Sequence, residues 1–379
     1  MARAIQRLLR QSVRDRKRID AFLERHDFPL QEGAQTTFVF RGEVDEVRLQ
    51  HWVYGLASSR SFERVEGTDL WYLTLELPPC SRIEYKLEVV EGEERRWIRD
   101  PLNPHLARDP FGANSVCATP GYETPEWTRP DPEARPGRIE RFEVSSKVFR
   151  ETRPVDVYLP ARFSEARPYP LLVVHDGTDY QRYADLRTVL DNLIYRLEIP
   201  PLLVALTDSP RRLQEYGADR RHARFVAEEL VPRLERVLPI DDDPASRGLM
   251  GASFGAVASL STAWRYPGRF DRLLLQSGSF AFSDFGELHE RGATFDPVVR
   301  FMNAFRRRPG RPTERLFLSC GIYEPLIYEN RSLVPQLQAA GMTVRFEEAR
   351  DGHNWLNWRD RLRAGLSWLF PGPLWMVYE

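Results

Sequence analysis

Apolar residues recur along this chain with a period that changes from one stretch to the next. Over residues 3–25, Ile5, Leu8, Leu9, Val13, Ile19, Phe22 and Leu23 return at helical spacing among many arginines. The apolar side is sparse and acidic residues interrupt it. That pattern predicts a helix docked with a solvated basic face, rather than one that lies on an anionic surface. From Thr36 the period becomes two. Segments 37–40, 46–52, 71–77 and 82–89 alternate apolar with polar residues and are separated by turn formers. Short strands at this spacing predict a small immunoglobulin-like β-sandwich over residues 35–118, preceded by the helical segment 1–34. Residues 119–137 are rich in Pro, Glu, Thr and Arg and have no period, as in an extended linker or wrap-around segment.

From residue 138 the pattern alternates again, between strand and helix. Segments 139–144 and 153–159 read as a leading hairpin. Segments 171–174, 202–206, 248–250, 273–277, 315–319 and 343–346 read as strands. Helical spacing covers about 184–197, 219–238, 256–264, 326–340 and 356–370. Continuous apolar strands separated by helices predict a mostly parallel sheet covered on both faces, over residues 138–379.

At the centre of this half lies Gly251-Ala252-Ser253-Phe254-Gly255. An apolar strand runs into it and a small-residue helix runs out. A strand-to-helix turn this sharp holds the serine in strained backbone geometry. The residues two before and two after it must be small, because backbone passes where a Cβ would stand. This is the nucleophile elbow, and it makes the expected fold an α/β-hydrolase. A serine hydroxyl needs a base within hydrogen-bond reach and a third group to orient that base. In this fold the order along the chain is serine, acid, histidine. Six of the seven histidines precede the last two strands, whereas His353 follows the final one, after Gly352. The acid belongs after the strand at 315–319, where Glu324 stands; Asp351, Glu347, Glu348 and Asp296 are weaker rivals. Two backbone N–H groups must hold the oxyanion. Phe254 supplies one, and Gly177 or Thr178, in the loop after 171–174, the other. Arg212, with Arg211 and Arg220, is a candidate contact for an anionic substrate, and Trp355, beside the histidine, is a second candidate substrate contact.

Composition narrows the picture. Net charge is −1, so no overall field points to nucleic acid. Three scattered cysteines form neither a metal spacing nor a disulfide framework. No metal or other cofactor is expected: the histidines are dispersed and the serine chemistry needs none. No run of about 18 apolar residues occurs, so no membrane span is expected. The N-terminus lacks the apolar core of a secretory signal, and a cytoplasmic enzyme is the expectation. A homo-oligomer is left open.

Residues 243–256, then Tyr266-Pro-Gly-Arg-Phe270, then Leu275-Gln-Ser-Gly-Ser-Phe280, resemble the enterochelin (siderophore) esterase group of esterase-D-like α/β-hydrolases. The ending Asp351-Gly-His-Asn-Trp-Leu-Asn-Trp-Arg359 is similar to that group's Gly-His followed by Trp-Arg. Residues 35–104, ending in Asp100-Pro-Leu-Asn-Pro104, resemble the early-set modules that precede catalytic domains in glycogen-branching enzymes and some esterases. The resemblance implies a serine ester hydrolase acting through an acyl-enzyme on a small-molecule ester, a ferric siderophore first and a sugar ester second. Ser253 and His353 would be nucleophile and base, with Glu324 at the acid's place. It departs at Asn354, often Asp in the group, and in having Glu where feruloyl esterases have Asp. Two other readings stay open: a feruloyl or acetyl carbohydrate esterase or acyltransferase, and a glycan-binding protein with weak hydrolase activity. In the last, Trp52, Trp71 and Trp97 would form a sugar-stacking platform, against the alternative that they pack a core.

Overall fold

A computed structural model describes residues 4–10, 16–286 and 288–373, so residue 3 and Val13 of the predicted first helix lie outside the described residues. The chain divides into two units. The first comprises Met1–Glu123 with two short segments from late in the chain, Ile322–Pro325 and Ala349–Asn354. The second comprises Thr124–Gly321, Leu326–Glu348 and Trp355–Glu379.

In the first unit the period-two stretches form two antiparallel sheets. One has the order β1 (Leu30–Glu32), β2 (Gln35–Arg41), β6 (Leu70–Glu76), β5 (Glu63–Arg64). The other has the order β4 (Ser59–Ser61), β3 (Glu46–His51), β7 (Arg82–Glu91), β10 (Gly112–Ala118), β9 (Leu106–Asp109), with β8 (Glu94–Ile98) also on β7. Alternation sorts the side chains. Phe38, Phe40 and Trp71 from the first sheet share a core with Val47, Leu49, Tyr85 and Leu87 from the second. Val39 and Leu70, one step out of phase, face the other way and pack with Ile5, Leu8, Ile19 and Phe22. Those four lie on α1 (Ala4–Leu9) and α2 (Arg16–Arg25), which dock on the sheet with their arginines outside. The Asp100–Pro104 segment closes the sandwich around Tyr85: the Tyr85 hydroxyl donates to Asp100 at 2.7 Å, and Asn103 donates to Val116 O at 2.9 Å. The proposed tryptophan platform loses a member here. Trp71 lies in the sandwich core with its Nε1–H on Gly42 O, whereas Trp52 and Trp97 are exposed.

The second unit holds one eight-stranded sheet. Its order is β11 (Arg138–Ser146), β12 (Glu151–Leu159), β14 (Leu203–Thr207), β13 (Leu171–His175), β15 (Arg247–Ala252), β16 (Arg272–Gln276), β17 (Arg315–Gly321), β18 (Thr343–Ala349). The hairpin β11–β12 is antiparallel; β14, β13, β15, β16 and β17 run parallel. Each central strand feeds both faces in alternation. Leu171, Val173, Leu249, Leu273 and Leu318 join one core; Leu172, Val174, Met250, Leu274 and Phe317 join the other. That is why these strands are continuously apolar. The helices α3 (Gly177–Tyr183), α4 (Leu186–Tyr195) and α11 (Trp355–Leu369) cover the second core; α8 (Phe254–Arg265), α9 (Asp296–Arg307) and α10 (Ile327–Ala339) cover the first.

Several elements differ from expectation, among them helix α3, which Gly177 and Thr178 open where a loop was expected. After the short α5 (Arg212–Glu215), the helix expected over 219–238 is α6 (Arg220–Arg224), a π-turn at Phe225–Leu230 and α7 (Val231–Glu235). Pro232 has no N–H to bond Glu228 O and its ring crowds that carbonyl, so the turn before it widens. Helix α9 was not anticipated, although Val298, Met302 and Phe305 recur at helical spacing and Pro297 sits in its first turn. In the periodless stretch, Trp127 is buried in the second core, and Asn192 Nδ2 donates to Trp127 O and Arg129 O at 2.8 and 2.7 Å.

Leu274 is wholly buried on β16. Leu274→Ala should lower the unfolding free energy by about 2–5 kcal/mol in urea titration, with an unchanged denaturant slope; a loss under about 1 kcal/mol would contradict this packing.

Candidate active site

In the second unit, β15 ends at Ala252 and α8 begins at Phe254, so the whole turn falls on Ser253. Its φ of 57° and ψ of −120° lie outside the regions that L-residues favour. A Cβ on Gly251 would stand 2.4 Å from the backbone of Gly255, and a Cβ on Gly255 would stand 3.2 Å from His175 Cβ. The flanking glycines are therefore steric requirements. The Ser253 N–H donates to Gln276 O at 2.9 Å, and its carbonyl accepts from Ser279 N–H at 3.2 Å. The hydroxyls of Ser253 and Ser279 lie 3.1 Å apart. The segment after β16 is itself fixed: Asn330 bonds both the N–H and the C=O of Gly278, and Gln276 accepts from the Tyr180 hydroxyl. Ser279 and Gln276 were not singled out from sequence, although both sit in the Gln-Ser-Gly-Ser run.

Phe254 opens α8, so its N–H is one of the first-turn amides that have no acceptor within the helix. Gly177 opens α3, where a Cβ would lie 2.5 Å from Leu206 Cα. The Thr178 N–H instead donates to Asp208 Oδ1 at 3.2 Å, which commits that amide. Arg212 grips Asp176 with two nitrogens at 2.8 and 2.7 Å, so its guanidinium braces the loop after β13. Trp355 is buried, with ring centroids 4.7 Å from Trp358 and 5.1 Å from Tyr180. The structure thus gives both proposed substrate contacts internal partners.

Beneath the elbow runs a buried polar chain. His175 Nδ1 lies 3.1 Å from Met250 O and 3.0 Å from Ser259 Oγ, and the Ser259 hydroxyl donates to Gly255 O. His175 Nε2 meets His222 Nε2 at 3.0 Å. With Nδ1–H donating, Nε2 of His175 accepts from His222. Glu215 is clamped by Arg153 at 2.6 and 2.7 Å, and its carboxyl is held well below the usual range despite its burial. Burial pushes the His175 imidazole down to about 3 and lowers that of His222, and both face arginines that act in the same direction.

In the first unit lie the other two candidate groups. His353 Nδ1 is 2.6 Å from Glu324 Oε2, the carboxylate being wholly buried and the imidazole 35 % exposed. Their loops run side by side: Ile322 N–H donates to Ala349 O at 2.8 Å and Tyr323 N–H to Asp351 O at 3.1 Å. The rival acids are engaged elsewhere. Asp351 pairs with Arg82, Glu348 with Arg331 and Asp296 with His289. A carboxylate on Nδ1–H fixes the tautomer and leaves Nε2 as a proton acceptor. Among the described residues, no group of three or more His, Cys, Asp and Glu side chains is placed to hold a metal ion.

A family model described as "Putative esterase" matches residues 146–369. The iron(III) enterobactin esterase of Dickeya dadantii is 26% identical over 365 residues, covering 83% of this chain and 80% of that protein. The crystal structure of ferric enterobactin esterase from Salmonella typhimurium superposes with a TM-score of 0.74 at 23% identity, covering 88% of this chain and 93% of that one. The enterobactin esterase of Shigella flexneri, crystallised in the presence of enterobactin, gives 0.71 at 23% identity over 88% and 92% of the two chains. The shared fold is an α/β-hydrolase with an N-terminal antiparallel β-unit.

Acid should act on the buried histidines. The unfolded chain takes up protons near pH 6.5, whereas folded His175 resists until about 3, so stability present above pH 6.5 is lost as pH falls. Urea midpoints should hold between pH 7 and 8 and then decline below 6.5. His175→Asn, which cannot titrate, should flatten that slope by up to one proton; an unchanged slope would contradict the assignment.

Proposed function

The chain belongs to this esterase family and is a carboxylic ester hydrolase, and on that premise we propose that it opens ester bonds of a catecholate siderophore of the enterobactin type through an acyl-enzyme. The observation that carries the mechanism is the 2.6 Å hydrogen bond from His353 Nδ1 to a buried Glu324, in a chain whose Ser253 stands on a strained elbow. In this reading the catalytic triad is Ser253, His353 and Glu324. Ser253 Oγ attacks the ester carbonyl as His353 Nε2 takes its proton, and Glu324 stabilises the imidazolium that forms. The N–H groups of Phe254 and Gly177 receive the oxyanion; Thr178 is the weaker candidate because Asp208 holds its amide. The tetrahedral intermediate collapses, the alcohol leaves with the proton from His353, and water repeats the sequence to free the acid. The naming of the relatives supports the substrate class. Among the described residues no disulfide joins Cys80, Cys117 and Cys320, which suits a reducing compartment and supports a cytoplasmic enzyme.

The test is an activity panel on the purified protein: enterobactin and its ferric complex, feruloyl and acetyl sugar esters, and p-nitrophenyl acetate, with and without an alcohol acceptor. The catecholate ester should give the highest kcat/KM. Ser253→Ala and His353→Ala should each lower kcat by about 10³-fold or more, and Glu324→Gln by less. Wild-type turnover in Ser253→Ala would overturn the mechanism; a preference for sugar esters, or transfer to the alcohol, would overturn the substrate assignment.

A further inference from the structure

The base of the sandwich strand β7 touches both loops that carry the His353–Glu324 pair. Ser81 Oγ lies 2.6 Å from the hydroxyl of Tyr323, the residue before Glu324. Tyr323 O also accepts from Tyr54 N–H at 2.8 Å. The next residue, Arg82, holds the other loop. Its Nε and one terminal nitrogen bind the two carboxylate oxygens of Asp351 at 2.7 and 2.9 Å, and the same terminal nitrogen reaches Asn354 Oδ1. Its second terminal nitrogen donates to Glu84 at 3.2 Å. Its backbone N–H donates to Arg350 O at 2.9 Å, and Arg350 in turn donates to Pro79 O at 2.7 Å. Arg82 and Asp351 are almost wholly buried. Asp351 and Asn354 flank His353 on either side.

We infer that Arg82 is a positioning residue for the reaction: its fork on Asp351 and Asn354 sets His353 at the distance and angle that Glu324 requires, and Ser81 registers the acid's loop through Tyr323. The inference rests on the reading of His353 as the base. The chemistry favours arginine at this place. A guanidinium offers five donors in a rigid planar fork, so one side chain can bind a carboxylate bidentately and a neighbouring amide at once. A lysine would supply one ammonium and no fork. A buried ion pair contributes little net stability beside an apolar pair of the same volume, because desolvating both charges offsets their attraction. What it supplies is direction. A displacement of about 1 Å at a catalytic group can cost about 10²-fold in rate.

The test compares Arg82→Lys, the double variant Arg82→Met with Asp351→Asn, and His353→Ala against wild type. The double variant removes both members of the buried Arg82–Asp351 pair, and Glu84, which loses Arg82, keeps its bond from Asn114 at 2.8 Å, so the variant should fold with a melting temperature near wild type. Its kcat should fall about 10- to 100-fold while KM stays within about 2-fold. The far-downfield proton resonance of His353 Nδ1–H should broaden or disappear. Arg82→Lys should restore part of kcat. If His353→Ala abolishes turnover but the folded double variant keeps wild-type kcat and resonance, Arg82 has no positioning role. If His353→Ala itself turns over normally, the reading of the base fails, and this inference with it.

Discussion

The catalytic half of the chain depends on one steric constraint, the passage of β15 into α8 through the single residue Ser253. The helix returns so sharply that the backbones at Gly251 and Gly255 come within 2.4 Å of where one Cβ would stand. Packing on both sides holds the turn in that state. Leu249 and Met250 anchor the strand in opposite cores, and Ala256, Val257 and Leu260 seat the helix on one of them. An unfavourable conformation persists only where its surroundings over-determine it. Here that includes the Gln276 carbonyl on the Ser253 amide and the Ser279 amide on its carbonyl. The same packing that makes the strands uniformly apolar makes the serine available.

The buried polar chain under the elbow follows from that geometry. Gly255 runs close over His175, and the carbonyls of Met250 and Gly255 both lie beside that buried network. His175 reaches the first, and Ser259, bonded to His175, donates to the second. A neutral imidazole suits the position because it can donate at one nitrogen and accept at the other without placing a charge in the core. The arginine–carboxylate pairs continue the network: Arg153 with Glu215 is buried on both sides, where each charge needs the other, and half-buried Arg212 holds the buried Asp176.

What was legible in the sequence had local causes. Strand alternation, the continuous apolar runs and the glycines about Ser253 each arise from neighbours a few residues apart. The pairing of Glu324 with His353, 2.6 Å apart, could be expected for a different reason: the fold orders its loops, so a histidine after the last strand and a carboxylate after the one before it are picked out by position. Arg82 was not legible, because its partner Asp351 lies 269 residues away and nothing near it in sequence marks a buried guanidinium. The same holds for Ser279 beside Ser253. The packing of Trp355 was also not legible. Proximity to the histidine suggested a substrate contact, yet a large apolar ring that opens α11 lowers the free energy most by joining Tyr180 and Trp358 in the core. Arg212 was visible as a cation, but its carboxylate partner was not.

These differences share a physical origin that bears on how the sandwich contributes. A side chain's role is set by whether its polar atoms find partners in the folded chain, and for buried charges those partners come from remote segments. A sugar-stacking platform of all three tryptophans would need each exposed, and the inward phase of β6 takes Trp71 out of that set. What the sandwich presents instead is a pair of adjacent residues at the start of β7, one polar and one cationic, placed against two loops that would otherwise be held mainly by the strands they leave. Loops of that kind sample many conformations, and a base must sit within about 0.5 Å of its productive position. On the proposed reading of His353 as the base, a sandwich that holds such loops acts on the geometry of the chemistry, whether or not it binds any ligand of its own.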